Sequence, residues 1–189
     1  LIEFDIKLNQ KILIEKLNWE LRYAHSRYNA AIESYLFSDP MVPDVPPLLS
    51  SGLGYNYFIG NELSETWTYD GVVPSRTSEI NPLGRKIRIR YSYEFSKLAY
   101  DFGIENSLFV PLYNWFHFHK VELNWREHFK LPFWTHTLTA QIRGGSILGP
   151  PIDNFFDFYI GGLEGMKGYP FYSLGGNEFG YVNLTYRFP

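Results

Sequence analysis

At 189 residues with a formal net charge of −3 and a pI near 6.0, the chain has no basic field for a nucleic-acid backbone, and no Lys/Arg cluster interleaved with aromatics tracks one. Aromatic residues make up 19%, more than a soluble core needs, while 45% hydrophobic residues and a mean hydropathy of −0.22 are too polar for a helical membrane protein. The absence of Cys excludes a disulfide framework and a thiolate metal site, and no apolar run reaches the ~18 residues of a membrane helix. What remains is a chain whose strands carry one apolar face each, as in a barrel whose alternate residues meet lipid and whose aromatics gather at the interfaces. No basic start followed by an apolar stretch marks a signal peptide, and Leu1 already stands in a strand-like pattern, so a removed signal or a missing upstream region is expected.

Period-two alternation dominates from the first residues. Ile2, Phe4, Ile6 and Leu8 alternate with Glu3, Asp5 and Lys7, and Leu17, Trp19, Leu21 and Tyr23 with Lys16, Asn18, Glu20 and Arg22. A less regular strand is expected over Tyr28 to Phe37. Ile87, Ile89, Tyr91, Tyr93 and Phe95 then alternate with Lys86, Arg88, Arg90, Ser92 and Glu94, which places three cations in one row. Leu98, Tyr100, Phe102 and Ile104 follow against Asp101 and Glu105. In a long strand over Phe116 to Glu127, Phe116 and Phe118 oppose the parity of Val121, Leu123 and Trp125, so a bulge or phase change near His119 is expected. Trp134, His136, Leu138, Ala140 and Ile142 alternate with Thr135, Thr137, Thr139, Gln141 and Arg143, and Val182, Leu184, Tyr186 and Phe188 with Asn183, Thr185 and Arg187. The expected total is about eight antiparallel strands.

Short links at Ala24 to Arg27, Glu94 to Lys97 and His128 to Phe133 are expected to be periplasmic turns. Residues 38–85, rich in Pro, Ser and Gly and with room for an extra strand at Gly54 to Ile59, and residues 149–177 are expected to be long extracellular loops. A Pro-rich linker between domains is the alternative for 38–85, but the same alternation resumes beyond it. This order makes the first strand run outward and the last end at the periplasmic rim.

Candidate chemistry is sparse. His117 and His119 share one strand face and could ligate a metal if a third ligand approached, but their parity matches Val121 and Trp125, which favours interfacial aromatics. Lys86, Arg88, Arg90, Arg143 and Arg187 form basic rows on the polar face, expected to pair with acids such as Glu20, Asp101 and Glu105. No Gly-x-Ser-x-Gly elbow and no Ser, His and Asp grouping fits the strand registers, Asp153 and Asp157 are poorly spaced for a carboxylate pair, and no enzyme activity or cofactor is expected. Asn183 to Thr185 forms a glycosylation triplet in mid-strand. The glycines of 161–176 permit positive φ and close approach, so that segment can fold compactly with Tyr159, Tyr169, Phe171 and Tyr172 as packing; a flexible external loop is the alternative. As a nucleotide loop it fails, because a strand and not a helix follows.

The ordered set Gly161-Gly162, Met166-Lys167-Gly168-Tyr169, Gly175-Gly176 and the terminal Arg187-Phe188-Pro189 resembles the bacterial surface antigen superfamily, barrels that assemble outer-membrane proteins or move polypeptides across that membrane. The resemblance covers about the last 35 residues. It implies an all-β transmembrane barrel of about sixteen strands, of which residues 1–189 supply a part, with a long loop over 149–177 folded into the lumen and latched there by Lys167, Gly168, Tyr169, Gly161 and Gly162. Lys167 stands where the family has Arg, which keeps the charge and loses the planar fork. The implied location is the bacterial outer membrane, and the implied partners are its lipid, polypeptide clients and accessory periplasmic or outer-membrane proteins. A passive porin-like channel and a soluble β-sandwich or ligand-binding barrel are the alternatives.

Overall fold

A computed structural model describes residues 2–12, 15–32, 53–73, 82–105, 108–132, 136–162, 166 and 168–188. The chain is all-β, with strands β1 (Ile2–Lys11), β2 (Leu17–Ile32), β3 (Leu53–Asp70), β4 (Gly84–Glu105), β5 (Leu108–Lys130), β6 (Thr137–Leu148), β7 (Phe158–Ile160), β8 (Leu174–Gly176) and β9 (Glu178–Arg187). Seven of them form one antiparallel sheet in the order β1-β2-β3-β4-β5-β6-β9, and β7 pairs with β8. The sheet has two edges, β1 and β9, which do not pair with each other.

Alternation sorts the side chains into two faces, because successive residues of a strand point to opposite sides. Registers carry each face across the sheet. One row runs Trp19, Trp67, Ile89, Leu123, and the neighbouring row on the other face runs Glu20, Thr66, Arg90, Glu122. The apolar face stays uncovered: Ile89 is 45% exposed and Val182 and Leu184 are 66% exposed. The segment 149–161 returns over the polar face and supplies the main packing there. A sandwich would need a second layer over the apolar face, and the described residues supply none.

Several sequence expectations are corrected. Among the described residues the sheet has seven strands where eight were expected: neither Ala24 to Arg27 nor Glu94 to Lys97 is a turn, both lying inside long strands, which merges two pairs of expected strands, and β3 adds one. Polar side chains on either face are satisfied there without breaking the ladder. His25 Nδ1 lies 2.7 Å from Asn61 Oδ1 on the facing strand, and buried Ser96 donates its hydroxyl to Glu94 at 2.9 Å. Residues 38–85 are not a single loop, because β3 occupies Leu53–Asp70; its apolar row of Leu63, Trp67 and Tyr69 is interrupted by Glu65, which accepts from Trp19 Nε1 at 2.6 Å. Residues 33–37 and 134–135, assigned to strands from the sequence, and Phe133, assigned to a turn, lie outside the described residues.

No phase change occurs near His119, for β4 and β5 stay in register from Phe116 to His128; their shift falls at Ala99/Asp101. Phe116 and Phe118 simply belong to the polar face. With an odd number of strands, β1 and β9 run in the same sense, so the opposed directions expected of the first and last strands do not hold. Connections 12–16, 71–83 and 131–136 gather at one end, the turn end, and 33–52, 106–107 and 149–177 at the other, the loop end. At 22 and 23 residues, β4 and β5 are about 70 Å long at ~3.3 Å per residue, far more than an apolar slab of ~25 Å requires. Their hairpin therefore extends beyond the common width of the sheet at the loop end.

Candidate functional site

The loop between β6 and β9 is built to fold back. Gly149, with φ of 145°, lets the chain leave β6 close to Phe118, where a Cβ would lie 3.2 Å from the Phe118 Cβ. Asp153 then caps a short 3-10 turn over Asn154–Phe156, its Oδ1 accepting the Phe155 N–H at 2.8 Å. That turn drives Phe156 into a seat on the polar face. Its ring sits 5.0 Å from Phe116 and from Phe118 and 6.0 Å from Phe58, and Phe58, Phe118 and Phe156 are the buried apolar residues among those described. The Lys120 ammonium donates to the Phe156 carbonyl at 2.9 Å and lies over the rings of Phe118 and Phe158, at 5.3 and 5.5 Å.

Beyond the seat the loop makes its own hairpin. β7 and β8 pair Phe158 with Gly176 and Ile160 with Leu174, and the Phe158 ring packs edge-on against Phe179 of β9 at 5.0 Å. Gly161 and Gly162 turn the chain with φ of 130° and 91°; a Cβ on the first would meet the Pro170 carbonyl oxygen at 2.3 Å, and one on the second the Phe171 ring at 2.3 Å. The Gly162 N–H donates to the Tyr169 carbonyl at 3.1 Å, and the Met166 and Tyr169 N–H groups to Gly162 and Met166 carbonyls at 3.2 and 3.0 Å. Gly168 is in open space, and Tyr169, Phe171 and Tyr172 are more than half exposed. Lys167, the proposed latch cation, lies outside the described residues.

The charge rows on the polar face pair along and across strands. Arg90 bonds Glu62 and lies 3.7 Å from Glu122, Lys86 bonds Asp70 at 2.7 Å, and Arg22 bonds Asp5 at 3.2 Å. Arg143 donates to the Tyr181 hydroxyl at 3.3 Å and Arg187 to Thr139 Oγ1 at 3.2 Å. Arg88 lines a small cavity with Arg90, Glu122, Asn124, Arg143 and Phe179.

Asp101 and Glu105 do not join these rows. They lie farther along β4 itself, with Asp101 roughly 35 Å from Arg90 at ~3.3 Å per residue, and Asp101 accepts the Phe102 N–H instead. Glu20 shares a row with Arg90, but the carboxylates that reach Arg90 are those of Glu62 and Glu122. The parity of Glu122, opposite to Val121 and Leu123, carried the signal for one of them; Glu62 fell in a segment read as loop.

Two larger cavities open on the polar face. One of about 520 Å³ is bounded by Glu3, Asp5, Arg22, Tyr28, Glu62 and Glu94, and one of about 440 Å³ lies between wall and loop, bounded by Arg143, Tyr181, Tyr159, Met166 and Phe171. His117 and His119 lie on the other face, His117 stacked on Trp115 and His119 against Tyr91 and Tyr93. Among the described residues no group of three or more His, Cys, Asp or Glu is placed to hold a metal. The arrangement is a sheet, apolar on one face, that holds an aromatic-anchored loop on the other, where charged side chains pair in rows. Comparison with known protein families, with curated proteins and with solved structures gives no match.

Proposed function

We propose that this chain is a section of the wall of a bacterial outer-membrane β-barrel of the surface antigen type, acting in outer-membrane protein assembly or polypeptide translocation, with the loop of 149–177 as an internal brace or gate. The observation that carries the reading is the loop's choice of face. An aqueous protein would fold it over the apolar side chains, yet Phe156 is planted on the polar face and the apolar face is left uncovered among the described residues, which supports a lipid-facing wall. The Gly161-Gly162 turn and the β7–β8 hairpin give the loop the compactness that a lumen requires. No catalytic role is assigned to these residues.

Depletion of the protein tests the functional part. An assembly or translocation role predicts that other outer-membrane or exported polypeptides fall in abundance before any solute uptake changes. The paired charge rows facing open cavities support a second reading, a passive solute channel. It predicts the reverse, with uptake lost and the other outer-membrane proteins unchanged.

A further inference from the structure

The apolar face changes character toward the loop end. Toward the turn end, Trp19, Trp67, Ile89 and Leu123 form an uncharged row. Nearer the loop end a row runs Ile2, Arg27, Ile59, Lys97, Trp115 in continuous register, with His25, Asn61 and His117 one step below on the same face. The cations here are held in place. His25 Nδ1 lies 2.7 Å from Asn61 Oδ1, Arg27 Nε donates to His25 Nε2 at 3.1 Å, and Asn61 Nδ2 donates to the Phe95 carbonyl at 3.3 Å. The Lys97 ammonium lies 4.5 Å from the Tyr113 ring centre and 5.4 Å from that of Trp115, a ring that is 65% exposed.

Among the described residues no carboxylate forms a salt bridge with Arg27 or Lys97, whereas Arg90, Lys86 and Arg22 on the other face each have one. The two uncompensated cations flank Ile59, so their Cα atoms are about 10 Å apart and both long side chains can reach one bulky anion. Two steps below them, past His25, Asn61 and His117, the face turns apolar at Tyr23, Leu63 and Tyr93.

We propose that this patch binds the phosphate of a membrane lipid headgroup, with Arg27 and Lys97 taking the phosphate and the apolar rows below taking the acyl chains. The charge sequence fits such a ligand from end to end: anion at the cations, glycerol or sugar at the Trp115 and His117 rings, hydrocarbon against Tyr23, Leu63 and Tyr93. The proposal rests on the outer-membrane reading, and its test separates the two.

The native protein, recovered in mild detergent, is reconstituted into phosphatidylcholine vesicles with and without a minor fraction of a diphosphorylated glucosamine lipid. Anionic lipid retained through a second extraction is counted by mass spectrometry. Wild type is compared with Arg27→Gln/Lys97→Gln and with the charge-keeping Arg27→Lys/Lys97→Arg, each checked for a faster-migrating unboiled band. The expected loss of affinity for the anionic lipid is about five-fold for each cation removed and roughly twenty-five-fold for both, with the charge-keeping variant retaining most of it and phosphatidylcholine retention unchanged. Equal anionic-lipid retention by wild type and the Gln variant, both folded, overturns the lipid site and leaves the wall reading standing. Failure of the wild type to enter either kind of vesicle overturns the wall reading, and the lipid site with it.

Discussion

The two faces of one sheet differ in how they are satisfied. On the polar face Arg90 has Glu62 and Glu122, Lys86 has Asp70, and Phe58 and Phe118 have Phe156 brought back to them by the loop. On the opposite face the same strands present Leu63, Trp67, Ile89, Tyr91, Leu123 and Trp125, over which no other described segment packs. A protein in water does not leave so continuous an apolar surface open. The polar face closes its interactions within the chain; the apolar face leaves its own open among the described residues, as the proposed lipid-facing wall would.

Substitutions break this comparison in order of size. Phe118→Ala removes a fully buried ring from beneath Phe156 and costs about 3–5 kcal/mol, seen as a lower denaturant midpoint and as protease cleavage within 149–177 before the wall unfolds. Ile89→Arg, on the apolar face, costs about 2–4 kcal/mol if that face meets lipid near the midplane, measured by equilibrium unfolding from vesicles. The mirror change one residue away, Arg88→Ile on the polar face, stays within about 1 kcal/mol by the same measurement. Gly162→Ala meets the Phe171 ring at a positive φ and costs about 1–3 kcal/mol, confined to the loop, so protease sensitivity rises while the heat-shifted band persists. Lys86→Gln, which removes an exposed pair with Asp70, is as small as the Arg88 change, at up to about 1 kcal/mol, and less at high salt.

Strand faces were legible because parity is a local property. The alternations of Ile2 to Leu8, Leu17 to Tyr23, Lys86 to Phe95 and Val182 to Phe188 all place their residues on the faces found. Strand ends were less so. His25 interrupts the apolar row of β2 and Ser96 sits on the polar face of β4, yet each is satisfied, across the ladder or on its own strand, and backbone pairing continues through them.

The seat of the loop was hidden for another reason. Phe116 and Phe118 looked out of phase only because their partner, Phe156, lies in a different segment, and contacts between distant segments leave no periodic trace in either one. The acid partners of Arg90 were misassigned for the same cause: registers between β3, β4 and β5 decide which carboxylate arrives, and the sequence carries alternation without register.

The chain contains no Cys, so single cysteines report without background. Placed one at a time from Lys86 to Phe95 in the native protein and treated in intact outer membranes with a small water-soluble maleimide, they test the two-faced wall directly. Reaction at 86, 88 and 90 with 87, 89, 91 and 93 protected until detergent is added is the pattern predicted by a wall in lipid, buried Ser92 being shielded on the polar face itself. Uniform reaction at the odd positions before detergent would show that the apolar face meets water or is reached from it, and the barrel account would fail.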